Sequence, residues 1–246
     1  MLHVFDDIEE VSQEAAKYFV EAADIAIREQ GRFSVALSGG NTPRTLYVLL
    51  AHAPFRSQVD WRHVHIFWGD ERCVPPDDPR SNYRMVQETL LAGIPTPQEN
   101  IHRIAGELAP EDAAAKYETE LKTFFGGEPP VFDLVLLGLG ENAHTASLFP
   151  HTPELYEEEH LVTDVHIPRT SMYRITMTAS LINQAHEIVF LVSGAQKAGA
   201  LQHVLEGSYQ PHEYPAQLIR PESTRPIWLI DRPAAHKLVG ERVEAA

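Results

Sequence analysis

The chemistry-bearing residues of this chain gather after short apolar runs. Phe132 to Pro150, FDLVLLGLGENAHTASLFP, passes from the apolar Leu134–Leu137 through Gly138 and Gly140 to one imidazole, His144, and two hydroxyls, Thr145 and Ser147. A continuous apolar run closed by glycines reads as a strand buried on both faces, as in parallel sheets, and such sheets bind ligands beyond the carboxyl ends of their strands. A lone histidine is more often structural than catalytic, but one that follows two loop glycines at a strand end is placed for general base chemistry near neutral pH.

Three further strand ends have comparable composition. Phe33–Leu37 ends in Ser38-Gly39-Gly40-Asn41-Thr42-Pro43, small residues and backbone N–H groups just before a helix start, a setting that suits an anion. The spacing is neither that of a P-loop nor G-x-G-x-x-G, and a tight turn needing glycine is the plain alternative. Val64–Trp68 ends in Gly69-Asp70-Glu71-Arg72, whose guanidinium can hold a phosphate through two donors or simply form a surface ion pair. Glu187–Val192 ends in Ser193-Gly194-Ala195-Gln196-Lys197, where the lysine offers a point charge or belongs to a solvated helix face.

The elements that must position these loops follow from hydrophobic periodicity. A helix is expected over residues 8–30, closed by Gly31. Others are expected from about Pro43 to His52, from near Ser81, over Pro110–Phe125, and within SGAQKAGALQHVLEG, with Lys197 one turn into the helix and Gly207 ending it; a connector runs from Gly93 to Ala109. Leu161–Ile167 and Tyr173–Met177 alternate apolar and polar residues and read as antiparallel strands at a sheet edge; Ile227–Ile230 is the last strand. Strand, loop and helix alternate throughout, which implies a single α/β domain over residues 1–246: a doubly wound, mostly parallel sheet with helices on both faces and a small antiparallel edge. The segment Pro75 to Pro79 is a candidate lid.

The chain carries 20 Lys and Arg against 35 Asp and Glu, a net charge of -15 that repels nucleic acid and anionic membranes, so neither is an expected partner. An anionic ligand then needs a local cluster of cations. One cysteine, Cys73, permits no intrachain disulfide, and no secretory or membrane-spanning segment is read, so a soluble cytoplasmic protein is expected, monomer or dimer. His63 and His65 share one face of a presumed strand without a third ligand at recognisable spacing, so no metal is expected. Ser147 lacks the G-x-S-x-G elbow, and no Cys-His-Asn/Asp pattern surrounds Cys73.

The run GLGENAHTASLFPHTP resembles the signature of the 6-phosphogluconolactonases, G-L-G-x-D-G-H-T-A-S-L-F-P. The resemblance extends to ALSGGNTP, WGDERCVPPDDPRSNYRM, SGAQKAGAL and PAQLIRP, in the family's order across residues 35–230. It implies a hydrolase without metal or cofactor that opens a small phosphosugar lactone, 6-phosphoglucono-1,5-lactone, in the pentose phosphate pathway. His144 falls on the family's catalytic histidine, and Arg72 and Lys197 on its phosphate-binding positions. Ser38, Gly39, Gly40 and Thr42 fall on the first substrate loop, and Asn82 on a site-lining position. Asp70, beside Arg72, is placed in the substrate site with them.

One departure stands out. The family's Asp-Gly before the histidine is Asn142-Ala143 here. Asn142 can orient the imidazole but brings no charge, and Ala143 is strained if that position needs positive φ. A slower enzyme, or one using Glu141 or Glu71 as the carboxylate, is the expectation. A sugar-phosphate-binding protein without catalysis remains open, as does the deaminase chemistry of the sister family, although HTASLFP lacks the downstream glutamate of that family's H-I-A-F-N-E-P. A phosphosugar-responsive transcription effector is disfavoured by the absence of a basic DNA-binding module.

Overall fold

The computed structural model describes residues 1–127, 129–168 and 170–239, with the backbone of Glu244 and Ala245. Strand β1 (Leu2–Phe5) is followed by helix α1 (Ile8–Gln30), β2 (Phe33–Leu37), α2 (Asn41–Leu50), β3 (Val64–Trp68), β4 (Asp70–Arg72) and α3 (Asn82–Thr89). Then come β5 (Ile101–His102), α4 (Pro110–Phe124), β6 (Leu134–Gly138), the hairpin β7 (Val162–Ile167) and β8 (Met172–Met177), and α5 (Ala179–Ile182). The chain closes with β9 (Glu187–Val192), α6 (Ala198–Leu205), β10 (Ile227–Asp231), α7 (Arg232–Ala235) and β11 (Glu244–Ala245).

Eight strands form a wholly parallel sheet in the order β11-β1-β10-β9-β6-β2-β3-β5, and β4, β8 and β7 form a separate antiparallel sheet. The fold is therefore the expected doubly wound α/β architecture with helices on both faces. The antiparallel hairpin forms where alternation placed it, but it pairs with β4 in a second sheet rather than extending an edge of the first. No helix among the described residues is long and apolar enough to cross a membrane.

Local chemistry sets the boundaries. Asp7 caps α1 by accepting from the Glu10 N–H at 3.0 Å, and Gly31 ends the helix in the left-handed region at φ 79°. Val11, Ala15, Phe19, Ala22 and Ala26 of α1 are buried at helical spacing, and Phe19 meets Phe33 edge-to-face at 5.3 Å. Helix α2 starts at Asn41, two residues before Pro43, so Thr42 is already helical. Several short elements escape the sequence reading: β4, α5, α7 and β11, together with β1, only four residues long, and β5, two residues inside the connector expected from Gly93 to Ala109, where pairing with β3 overrides weak local preference.

The order of the strands fixes where a site can lie. From β2 the chain moves outward to β3 on one side; from β6 it moves to β9 and β10 on the other. The switch point therefore falls between the neighbouring strands β2 and β6, where the following connections diverge and leave a crevice beyond the carboxyl ends.

Candidate active site

The loop after β6 is folded tightly enough to hold an imidazole in one place. The Gly140 N–H donates to the His144 carbonyl at 2.8 Å and the Ala143 N–H to the Gly140 carbonyl at 3.0 Å, while Thr145 Oγ1 donates to the Gly138 carbonyl at 2.9 Å. Ala143 takes φ 59°, so the position does require the left-handed conformation, at a cost on the order of 1 kcal/mol for an alanine. A Cβ on Gly140 would lie 2.0 Å from His144 Nδ1, so the ring rests directly against glycine backbone. Phe149 stacks on the imidazole at 4.2 Å with planes 19° apart.

Asn142 holds the ring from its edge. Its Oδ1 lies 2.5 Å from His144 Nδ1, so the amide oxygen accepts from Nδ1–H and leaves the Nε2 lone pair open. The imidazole's pKa is lowered to about 4, above all by burial. The Asp70 charge opposes this, and Arg174, Lys197 and Arg72 reinforce it. The ring is neutral at pH 7 and competent as a base.

Ser38, Gly39, Gly40, Asp70, Arg72, Asn82, His144 and Lys197 line a single cavity of about 170 Å³, although they come from four separate strand ends. Asn142 lines a larger, adjoining cavity of about 1270 Å³ that shares Gly140, His144, Arg174 and Lys197 with the first. Thr42 lines neither cavity, since α2 has already begun and carries it one helical position past the loop. Pro75 to Pro79 also lines neither. That segment is tied down by Arg84 Nη1 donating to the Asp77 carbonyl at 2.7 Å and by the Ser81 N–H donating to the Asp78 carbonyl at 2.9 Å.

One residue of the site was missed from sequence. Arg174 lines both cavities, and β8 sets it directly across from Arg72 of β4. Its Nη1 lies 3.8 Å from Asp70 Oδ2, and its guanidinium stands over Phe149 at 5.3 Å from the ring centroid. Burial lowers its pKa. The Nε atoms of Arg72 and Arg174 and the Ser38 hydroxyl are buried with no hydrogen-bond partner among the described residues. All three residues line the small cavity, where two guanidinium groups and Lys197 gather positive charge in one place. Arg72 is anchored by Nη1, which donates to the Arg80 carbonyl.

The two adjacent carboxylates of β4 have different surroundings, as strand alternation requires. Glu71 is only 2% exposed and accepts from the N–H groups of Arg72, Asn82 and Tyr83 at 2.7, 2.7 and 2.8 Å and from Ser81 Oγ at 2.9 Å. Its pKa is raised by burial against the pull of those bonds. It clamps β4 to the N-terminus of α3 and is not a substitute partner for His144. Glu141 is exposed, and its charge acts on Lys197. Among the carboxylates it is Asp70, 5% exposed, that acts on the imidazole. Asp70 accepts from Ser147 Oγ at 2.6 Å and from Asn82 Nδ2, which reaches its Oδ1 at 3.3 Å and its carbonyl at 2.8 Å. A Cβ on Gly39 would lie 1.9 Å from Asn82 Oδ1, so glycine lets the first loop close on that amide. Replacing Glu71 by Ala would leave three backbone N–H groups without an acceptor, and a loss of about 3 kcal/mol in urea-unfolding stability is expected. A loss below about 1 kcal/mol would show that the clamp is not structural.

The histidines proposed as a strand pair are not one. His63 lies in the short turn before β3, with Nδ1 3.0 Å from Asp60 Oδ2, whereas His65 sits on β3 with Nδ1 3.3 Å from Nε2 of His102. No group of three or more His, Cys, Asp or Glu among the described residues is placed to hold a metal ion. Burial lifts the Cys73 thiol to about 11, despite the neighbouring Arg72.

The parallel sheet, the switch-point crevice and a small cavity lined by Arg72, Arg174 and Lys197 define the class: a doubly wound α/β protein with its candidate site at the carboxyl edge of the sheet. The family model for glucosamine-6-phosphate isomerases/6-phosphogluconolactonase matches residues 6–228, and the chain belongs to that family. A 6-phosphogluconolactonase of Synechocystis is 46% identical over 217 residues, covering 87% of this chain and 88% of its own. One of Haemophilus influenzae is 40% identical over 204 residues, 83% and 87% of the two chains. The solved structure of the 6-phosphogluconolactonase from Trypanosoma brucei superposes with a TM-score of 0.86 at 28% identity, covering 97% of this chain and 98% of that one. Within the family, this chain is an enzyme of the 6-phosphogluconolactonase type.

Proposed function

We propose that the protein hydrolyses 6-phosphoglucono-1,5-lactone to 6-phosphogluconate, as a cytoplasmic step of the oxidative pentose phosphate pathway, without metal or cofactor. The observation that carries this reading is the position of His144 at the junction of two cavities, one small and ringed by cations, the other open and roomy. The phosphate goes to Arg72, Lys197 and Arg174, beside the loop of Ser38, Gly39 and Gly40, and the lactone ring lies in the larger space.

The residues perform the steps as follows. Nε2 of His144 takes a proton from water as the water oxygen bonds to the lactone carbonyl carbon. Nδ1–H stays on the Asn142 oxygen, so the ring cannot turn away as it becomes charged. The tetrahedral intermediate collapses with cleavage of the bond to the ring oxygen, which receives the proton back from Nε2. Water is consumed, one C–O bond forms, another breaks, the base is regenerated, and the new carboxyl group releases its proton to solvent. The cations fix the phosphate and so hold the carbonyl against the water.

The test is a proton-release assay on freshly generated lactone, with spontaneous hydrolysis subtracted. Turnover well above the spontaneous rate is expected, with no ammonia released from glucosamine 6-phosphate. Tight 6-phosphogluconate binding without turnover would instead leave only a binding protein.

A further inference from the structure

A carboxylate inside a cavity that takes a phosphate is an electrostatic cost to substrate binding, since it repels the group that the surrounding cations attract. Asp70 is such a carboxylate. It lines the small cavity with Arg72 and Lys197 and is 5% exposed. Its place is built: Ser147 Oγ donates to Oδ2 at 2.6 Å, Asn82 Nδ2 reaches Oδ1 at 3.3 Å, and Arg174 Nη1 stands 3.8 Å from Oδ2. Ser147 belongs to the same tight loop as His144, three residues on, so that hydrogen bond ties the carboxylate to the segment that carries the imidazole.

The partner that holds the ring, Asn142, is neutral. When the imidazole takes a proton from water, positive charge appears in a pocket that already holds Arg72, Arg174 and Lys197 and nothing anionic on the ring's own hydrogen-bond partner. We propose that Asp70 is a positioning residue that supplies the negative charge stabilising the His144 imidazolium during turnover, taking the electrostatic role that an aspartate at position 142 would have. This rests on the lactonase reading and goes beyond it, because it assigns Asp70 to the transition state rather than to substrate binding.

The charges that act on His144 oppose one another, and Asp70 is the one that favours the protonated ring. Asp70 raises its proton affinity, Arg174, Lys197 and Arg72 lower it, and Asn142 and Phe149, which touch the ring, are uncharged. Asp70 is itself faced by Arg174, Ser147 and Asn82, so its charge is held in place rather than neutralised by a close ion pair.

The experiment is a rescue by moving the charge, measured on wild type, Asp70→Asn, Asn142→Asp and the double variant, with kcat and KM separated and pH profiles recorded. Asp70→Asn is expected to lower kcat about tenfold or more, with KM unchanged or lower, because repulsion of the phosphate is relieved. Asn142→Asp in the Asp70→Asn background is expected to restore kcat severalfold and to move the acid limb of the profile upward. In the wild-type background it should raise kcat less than about threefold, because the charge is already present. A gain of tenfold or more from Asn142→Asp alone would overturn the proposal even if Asp70→Asn fails to fold. So would a raised KM with unchanged kcat in Asp70→Asn, or a kcat loss that the double variant does not recover. Wild type with no turnover would sink the lactonase reading itself, whereas an active wild type with no rescue would sink only the role of Asp70.

Discussion

His144→Ala should lower kcat by about 10²- to 10⁴-fold, the range general base catalysis supplies, while 6-phosphogluconate binds within a few-fold of wild type. The separation follows from the geometry. The imidazole touches Asn142, Gly140 and Phe149, none of them among the cations that face the small cavity, so its removal leaves Arg72, Arg174 and Lys197 in place. Equal losses in binding and in rate would mean that the ring serves as a wall of the site rather than as its base. The pH dependence has a definite sign. On the proposed mechanism the group works when deprotonated, and its pKa is lowered from 6.5 to about 4, so kcat/KM, once corrected for the substrate phosphate's own ionisation at about pH 6, should rise as pH climbs through about 4 and be level across neutrality. An inflection between pH 6 and 7 would contradict the burial that holds the ring neutral. Stability carries the same signature. Between about pH 6.5 and 4 the unfolded chain binds a proton that the native state refuses, so native stability falls as pH falls through that window. His144→Ala should flatten that slope in urea-unfolding midpoints; His65, also lowered to about 4 by burial, leaves part of it in place.

Much of this site could be read in the sequence because its residues sit in loops that directly follow apolar strands. Ser38-Gly39-Gly40, Asp70 with Arg72, His144 and Lys197 each stand within a few residues of a strand's carboxyl end, and a parallel sheet brings such ends to one edge. Arg174 escaped because its local pattern is that of an ordinary half-buried strand, Tyr173–Met177, with an arginine at a polar position. Only the pairing of β8 with β4, which joins residues a hundred positions apart, shows that it faces Arg72. The same pairing separates Asp70 from Glu71. In the sequence they are two equivalent acids. On β4 their side chains point opposite ways, one into the cavity and one onto the N–H groups at the start of α3. The strain at Ala143 was legible as a condition, positive φ, that only the backbone could verify. The start of α2 at Asn41, two residues before the proline that suggested it, depends on how the chain leaves Gly40.

Removing the cations of the small cavity should be the second large effect, and it should be specific to the phosphate. A charge-assisted hydrogen bond contributes about 1.5–3 kcal/mol, so Arg72→Ala should lower kcat/KM about 10- to 150-fold, and the double variant Arg72→Ala/Lys197→Ala by about 10³-fold or more. On the proposed mechanism part of the loss should fall on kcat, because holding the phosphate would also orient the carbonyl against the water. Arg72→Lys keeps the charge but not the planar fork, and should recover only a fraction. Ionic strength gives an independent reading. The field of a molecule carrying -15 acts almost equally on wild type and variant, so what salt screens in their ratio is the attraction between Arg72 and the phosphate. The ratio of wild-type to variant kcat/KM should therefore shrink as salt rises from about 10 mM to 300 mM. The decisive comparison is a lactone without phosphate: on it, wild type and Arg72→Ala should be slow and nearly equal, because the group that distinguishes them is absent. If Arg72→Ala proved as damaging on the unphosphorylated lactone as on the phosphorylated one, the guanidinium would be acting on the reacting carbonyl or on the fold, and the assignment of the small cavity to the phosphate would have to be given up.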